Sequence, residues 1–493
     1  MLSEPHLLVA LPFIFLLLWA VFTLIRTPLR FLSVAFPLTS QFAAIFAIGV
    51  YVRHEGPINL EFIKMGFPAG MVLKVDGLAV LLMGVTTLVL SLCAIYSLGY
   101  FELHRFRQIR KHRQARFFWP ILAALWIALL LLWIAADLFT IYLALEMMGL
   151  SAAAMMVLPD RKSSVVTGLR YLFIMLLGSL AYLFGAGICY GIYGHIELAT
   201  LAGVSRAGIA HYMAMAFMMA GLMLKAAVFP LHAWLPVAHS EAWAPVSAIH
   251  AALVVKGSFF ILVKLWMTFL PDAEALAQVI GLAGAIAVLW GSIMALRQQQ
   301  IKQIVAYSTM AQLGYLLLLF PLATNVGEQA ANLAWQGTWL LFIAHALAKA
   351  AMFLSVGNLV LAMGHADLEK LSTVDCYLPQ SLLVFGLASL SIIGLPVSGG
   401  FTAKWMLMHS AFLSGQWHWL FVLAVGTLLG AAYIFRIFKY TLAAGKDTSE
   451  CHVDLPLGKE TAALGLALAA MFLGLFAGWS LAFLDIPGGV SWP

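Results

Sequence analysis

Apolar runs of roughly 20 residues follow one another along this whole chain, separated by short stretches of turn residues and charge. Each run is long enough to cross a hydrocarbon layer about 30 Å thick as a helix, and a helix satisfies its own backbone hydrogen bonds where no water can. With 63% hydrophobic and only 10% charged residues, a soluble globular domain is excluded. The expected fold is all-α and polytopic, with about 14 transmembrane helices by the length of the runs. Among them, span 5 is expected near 138–158, span 7 near 209–230, span 8 near 241–270, span 11 near 335–363, span 12 near 378–412 and span 14 near 459–482.

Residues 1–25 read as a retained first span, since Glu4 stands where a signal peptide would be basic and no small-residue cleavage site precedes Arg26. Between spans 2 and 3, "PINLEFIKMGFPAGMVLKVD" alternates about a Gly/Pro turn and predicts a short outer hairpin, the one β candidate. Basic residues gather on alternate loops: Arg26 and Arg30; Arg105, Arg107, Arg110, Lys111, Arg113 and Arg116; Arg161 and Lys162; Arg297 and Lys302; Lys370; Lys439, Lys446 and Lys459. The opposite loops hold little beyond Arg53, Lys64, Lys74 and Arg206. Positive loops stay cytoplasmic, so a multi-pass protein of the inner (plasma) membrane with both termini outside is predicted. The net charge of +6 then belongs to topology and to anionic lipid of the bilayer, not to nucleic acid. Cys93, Cys189, Cys376 and Cys451 have no iron–sulfur or zinc spacing, and there is no phosphate loop or dinucleotide fingerprint, so no metal or cofactor is expected.

Charges within spans are the informative exceptions, because each costs at least a few kcal/mol near a bilayer centre and persists where it faces a bundle interior, a partner or water. Glu146 lies nine residues after Asp137, near the middle of span 5; Lys225 is central in span 7 and Lys256 in span 8. His345 and Lys349 stand one turn apart on span 11, hence on one helix face. Lys404 follows "GLPVSGGF" in span 12. The stretch "LKAAVFPLHAWLPVAHSEAWAPVSAIHAALVVKG" adds His232 and His239, placed beside prolines between spans 7 and 8, and His250. These three are candidates for relay or gating roles, with solvated, capping or hydrogen-bonding roles as the plainer alternative.

Prolines mark the same regions. A Pro within a span frees a carbonyl that must be satisfied by protein or a wet cavity. Pro230 and Pro396 place helix breaks in spans 7 and 12, roughly 170 residues apart, and two interrupted helices in matching halves point to an ion path in a protein built from repeats. Because each repeat would hold five helices, an odd number, the second is inverted relative to the first. The expected organisation is 1–116 for helices 1–3 with the hairpin, 117–270 for the first repeat, 271–441 for the second and 442–493 for a loop and the last helix.

"LKAAVFPLHAWLPVAHSEAWAPVSAI", "DLFTIYLALEMMGLS", "RQQQIKQIVAYSTMAQLGYLL", "HALAKAAMFLSVGN" and "GLPVSGGFTAKW" together resemble the antiporter-like membrane subunits shared by respiratory complex I, membrane-bound hydrogenases and Mrp-type sodium/proton antiporters, over about residues 75–440. The length and the "AHSEA" wording look most like the Mrp D-type branch. The resemblance implies an ion pair of Glu146 with Lys225, a central relay of Lys256 and His345 with Lys349 beside it, and Lys404 as terminal lysine. The chain departs from the family wording at Val237, Trp243, Ala244, His250, Lys264 and Gln300.

Physically, a carboxylate beside a buried ammonium holds its proton, and separating the two drives the proton onward. The function this implies is proton translocation, with sodium exchange open, by a subunit working among other membrane subunits of an ion-pumping complex. No redox catalysis is expected of the chain itself, although the resemblance allows a place in an NADH:quinone oxidoreductase-like translocase. A self-sufficient solute transporter would instead show a midplane pocket rich in Asn, Ser and aromatic groups. A haem or quinone redox protein would show paired histidines at equal depth, which His250 and His345 only weakly suggest.

Overall fold

Helices form wherever the apolar runs are uninterrupted. The computed structural model describes residues 5–25, 31–63, 71–107, 112–371, 378–442 and 457–486. Arg26, Arg30, Lys64, Arg110, Lys111, Cys376, Lys446, Cys451 and both chain ends, which enter the charge and cysteine arguments, lie outside the described residues, as do the side chains of Arg105, Arg107 and Arg113.

Two helices, α1 (Pro5–Ile25) and α2 (Phe31–Glu55), lead into a hairpin of β1 (Ile58–Ile63) and β2 (Met71–Val75). The hairpin is the one expected from the alternation: Ile58 faces Val75 and Leu60 faces Leu73, and these four side chains are buried on one face. Next come α3 (Gly77–Arg107), α4 (His112–Ile134), α5 (Leu138–Val157) and α6 (Lys162–Tyr193). Asp137 ties two of these elements together, since its carboxylate caps α5 through Thr140 N at 2.7 Å and holds β2 through Val72 N at 2.9 Å. The chain continues through α7 (Leu198–Val204), α8 (Ile209–Lys225), α9 (Trp234–Glu241), α10 (Ala244–Phe269), α11 (Glu274–Arg297), α12 (Ile301–Ala323) and α13 (Glu328–Met363). It ends with α14 (Pro379–Ile393), α15 (Gly399–Leu413), α16 (Trp417–Thr441), α17 (Leu457–Phe472) and α18 (Ala477–Leu481).

Among the described residues ten helices are long and apolar enough to cross a membrane, and α8 and α14 are shorter apolar helices that run into breaks. Polarity is inverted relative to a water-soluble protein. Phe46, Phe173 and Leu428 point outward, whereas Lys256 and Lys349 are wholly buried. In a bilayer the outer side chains meet acyl chains, and the interior is the one place where ammonium groups can find polar partners.

Spans 7 and 12 are interrupted as expected, but the helices stop before their prolines. The first stops at Lys225, five residues ahead of Pro230, and Ala227 turns the chain with φ 53°. The second stops at Ile393, three residues ahead of Pro396, with Gly394 at φ 87° as the left-handed cap. Lys225 is therefore the last residue of a helix rather than the middle of one. Span 8 is α10, close to its expected bounds, and is preceded by the separate helix α9; α10 begins at Ala244 because Pro245, whose missing N–H costs nothing in a first turn, starts it afresh. Within α10, His250–Val254 form a π-helical turn. Such turns shift a helix face and free a carbonyl.

Candidate functional site

Close packing of small residues places the first lysine. Helices α6 and α8 meet at Gly178 and Gly221, where a Cβ on Gly178 would stand 2.9 Å from the Gly221 carbonyl oxygen. Lys225 lies in the resulting groove, 2% exposed; a Cβ on Gly178 would be 3.0 Å from its Cγ, and one on Gly149 of α5 would be 3.6 Å from its Nζ. Glu146 stands one turn before Gly149 on the same face of α5, half-buried, and its charge reaches Lys225. The two do not touch. Lys225 Nζ has no hydrogen-bond partner among the described residues, where the ion pair within 4.0 Å is Lys370 with Asp367, at 3.2 Å on the surface.

Lys256, wholly buried on α10, donates to the carbonyl of Ala252 inside the π turn at 2.8 Å and lies 5.4 Å from the centre of the Phe342 ring. The π turn thus supplies the acceptor for the lysine that follows it. His250, in the same turn, stacks on Tyr171 with centroids 5.7 Å apart, and neither ring nitrogen has a hydrogen-bond partner among the described residues. On α13, His345 and Lys349 share a face as expected. Lys349 donates to the carbonyl of Val305 at 3.0 Å and to the Ser308 hydroxyl, both on α12. Neither nitrogen of His345 is hydrogen-bonded to a described residue, and the cations whose charge reaches it are Lys256, Lys349 and Lys404.

Lys404 on α15 reaches back across the break to the carbonyls of Ile392 at 2.9 Å and Ile393 at 3.2 Å, and sits 4.8 Å from the centre of the Tyr315 ring. The last carbonyls of α14 have no intrahelical donor, and the negative end of that helix suits a cation. Lys225 and Lys404 therefore relate differently to their breaks: one ends its helix without a hydrogen bond to the described residues, the other caps the helix before it.

His239 is not in a solvated loop. It lies on α9, wholly buried, stacked 4.7 Å from Phe353 of α13, with neither nitrogen partnered among the described residues; the charges reaching it come from His250, Lys349 and Lys302. Packing of α9 against α6 and α12 carries it inward, which no local pattern foretold. His232 stays apart, half-exposed and stacked on Phe229 at 5.5 Å in the turn between α8 and α9.

Two further lysines, one a departure from the family wording and one a loop charge by its position in the sequence, also reach the interior. Lys264 donates to Ala135 O at 2.8 Å, and Lys302 to Ala242 O at 3.0 Å. A third, Lys459, expected among the basic loops, lies on α17 and is wholly buried between Tyr96 and Tyr100, 5.4 Å from each ring centre. Position near a span end is all the sequence showed of it.

Residues 135–430 match a family model described as NADH:quinone oxidoreductase/Mrp antiporter, TM. The NADH-quinone oxidoreductase subunit N of Desulforudis audaxviator is 34% identical over 344 residues, 68% of this chain and 67% of that protein. The D-type subunit of the Na(+)/H(+) antiporter of Bacillus subtilis is 24% identical over 485 residues, 97% of this chain and 95% of that one. In the solved Mrp complex from Dietzia sp. DQ12-45-1b, one chain superposes with a TM-score of 0.86 at 20% identity, covering 99% of this chain and 98% of that chain, a likeness of fold.

Proposed function

From the premise that this chain belongs to the NADH:quinone oxidoreductase/Mrp antiporter transmembrane family, we propose that it moves protons along Glu146, Lys225, Lys256, His345, Lys349 and Lys404 as one subunit of a larger ion-pumping complex. The observation that carries this reading is the kind of partner the buried lysines have. Lys256, Lys349 and Lys404 donate to carbonyl or hydroxyl oxygens, and none of these bonds is to a carboxylate. A carboxylate would lock the ammonium form, whereas a carbonyl accepts a hydrogen bond from an ammonium or an amine, so the geometry tolerates the coming and going of a proton.

In this reading Glu146 sets the charge state of Lys225. Approach of the two favours the ammonium, and their separation sends the proton toward Lys256. His345, with nitrogens committed to no described protein group and lysines around it, passes the proton between Lys256, Lys349 and Lys404, because imidazole both accepts and donates near neutral pH. Water bridges the gaps between helices, and Lys404 at the second break releases to the far side. His250 and His239 flank the path as gating groups. The supporting organisation is fourteen crossings, with 117–270 and 271–441 as inverted repeats flanked by 1–116 and 442–493, in the plasma membrane with both termini outside.

The test is proton flux in vesicles containing the whole assembly. Lys256→Ala is expected to abolish flux with protein level maintained; flux at the parental rate would sink the relay.

A further inference from the structure

Resting on that reading, we infer that Lys459 and Glu460 form a proton-collecting site feeding the relay from the side of the basic loops. Both stand in the first turn of α17, immediately after the segment joining it to α16, at the end of the molecule where α3 finishes and α14 begins. Glu460 is half-buried, and its carboxylate accepts from the Ser381 hydroxyl at 3.3 Å. Ser381 in turn accepts from Asn358 Nδ2 at 3.0 Å, and Asn358 Oδ1 accepts from the Tyr96 hydroxyl at 2.9 Å, which also lies 3.1 Å from Leu354 O. This line of hydrogen bonds fixes the carboxylate and the Tyr96 ring against α13, the helix that carries His345 and Lys349.

Lys459 completes the site. It is wholly buried, its Nζ has no hydrogen-bond partner among the described residues, and two tyrosine rings face its charge at 5.4 Å, with the Glu460 carboxylate next along the chain. Two π faces stabilise an ammonium without a contacting carboxylate to lock it in that form. A purely structural lysine of this length would extend to an oxygen or snorkel to water, whereas this one is wholly buried and reaches no oxygen of the described residues. The step is a simple exchange: the Glu460 carboxylate takes a proton from a hydronium ion of the aqueous phase, leaving water; the Lys459 amine receives it to leave carboxylate and ammonium; and the ammonium then yields the proton toward Lys349 and returns to the amine. Trp243 and Ala244, at the start of α10, pack beside this cluster, since a Cβ on Gly357 would meet both Ala244 and the Tyr96 hydroxyl, and Phe101 meets Trp243 edge-to-face at 5.0 Å.

The experiment compares Glu460→Gln, Glu460→Asp, Lys459→Met and Lys256→Ala in vesicles holding the full assembly, with proton flux measured as a function of a small weak acid added on the basic-loop side. Glu460→Gln keeps an acceptor for Ser381 but cannot be protonated. It is expected to lower flux about tenfold or more; formic acid and its conjugate base should restore the rate, and Glu460→Asp should retain it. Lys459→Met should lower flux without such rescue. Parental flux in both Glu460→Gln and Lys459→Met, with flux lost in Lys256→Ala, overturns this inference and leaves the relay standing. Loss in Glu460→Gln that the weak acid does not relieve shows a structural pin and also overturns it. Parental flux in Lys256→Ala would instead remove the relay on which the inference rests.

Discussion

Lys404 illustrates how a single side chain can be read in two ways. Its bonds to Ile392 O and Ile393 O are what an anchor of α15 would make, and also what a carrier would make in either protonation state. Arginine separates the two, because it preserves the charge and the donors but does not give up its proton. Lys404→Arg is expected to cut proton flux about 100-fold while protein level is unchanged; near-parental flux would take Lys404 out of the relay. For Glu146 and Lys225 the question is coupling across a gap, since the two interact without contact. Alanine at either position, and at both, should give losses that fail to sum, with an interaction of about 0.5–3 kcal/mol. Simple addition in flux measurements would refute the paired switch.

The breaks act at the scale of elements, by fixing where a lysine meets freed carbonyls. Gly394 holds the turn after α14 at φ 87°, and a Cβ there would press on Lys404 Cδ at 3.1 Å. Gly415 has a comparable φ of 70° after α15 with nothing within 4 Å. Alanine at either site strains the backbone by about 1–2 kcal/mol, so thermal stability should fall in both variants. Flux should fall only in Gly394→Ala, because only there is the lysine displaced. Equal flux in the two variants would show that the position of Lys404 against the break does not matter. The π turn is a second such device, as its geometry brings Ala252 O to Lys256; no residue in "SAIHAALVVKG" announces it, since a π turn is a small change in backbone register that neighbouring helices impose.

At the scale of the whole molecule the apolar exterior and cationic interior are one arrangement. Of the ten long apolar helices, α10 and α13 have apolar windows that are entirely buried, and the charged row runs through that centre. The distribution of lysine and arginine between loops further requires an orientation. A reporter fused after Pro493 should read as outside the cell in an intact-cell accessibility assay, and a cytoplasmic signal would refute the fourteen-span topology.

The sequence by itself determined the class, the positions of the long helices and the hairpin, because run length and alternation are local properties, and the cost of a charge within an apolar run singled out Lys225, Lys256, Lys349 and Lys404 as candidates. His345 and Lys349, one turn apart, were legible for the same local reason. What only the tertiary structure decided was the company these residues keep. Lys225 became a helix end when the chain turned at Ala227, ahead of the visible Pro230. His239 passed from an apparent loop to the stack on Phe353, and Lys459 from a loop charge to the tyrosine pocket, because α9 and α17 pack against helices distant in sequence. Helix ends and inward faces are set by neighbours that no window of twenty residues contains, and so is the contact between a lysine and a particular carbonyl.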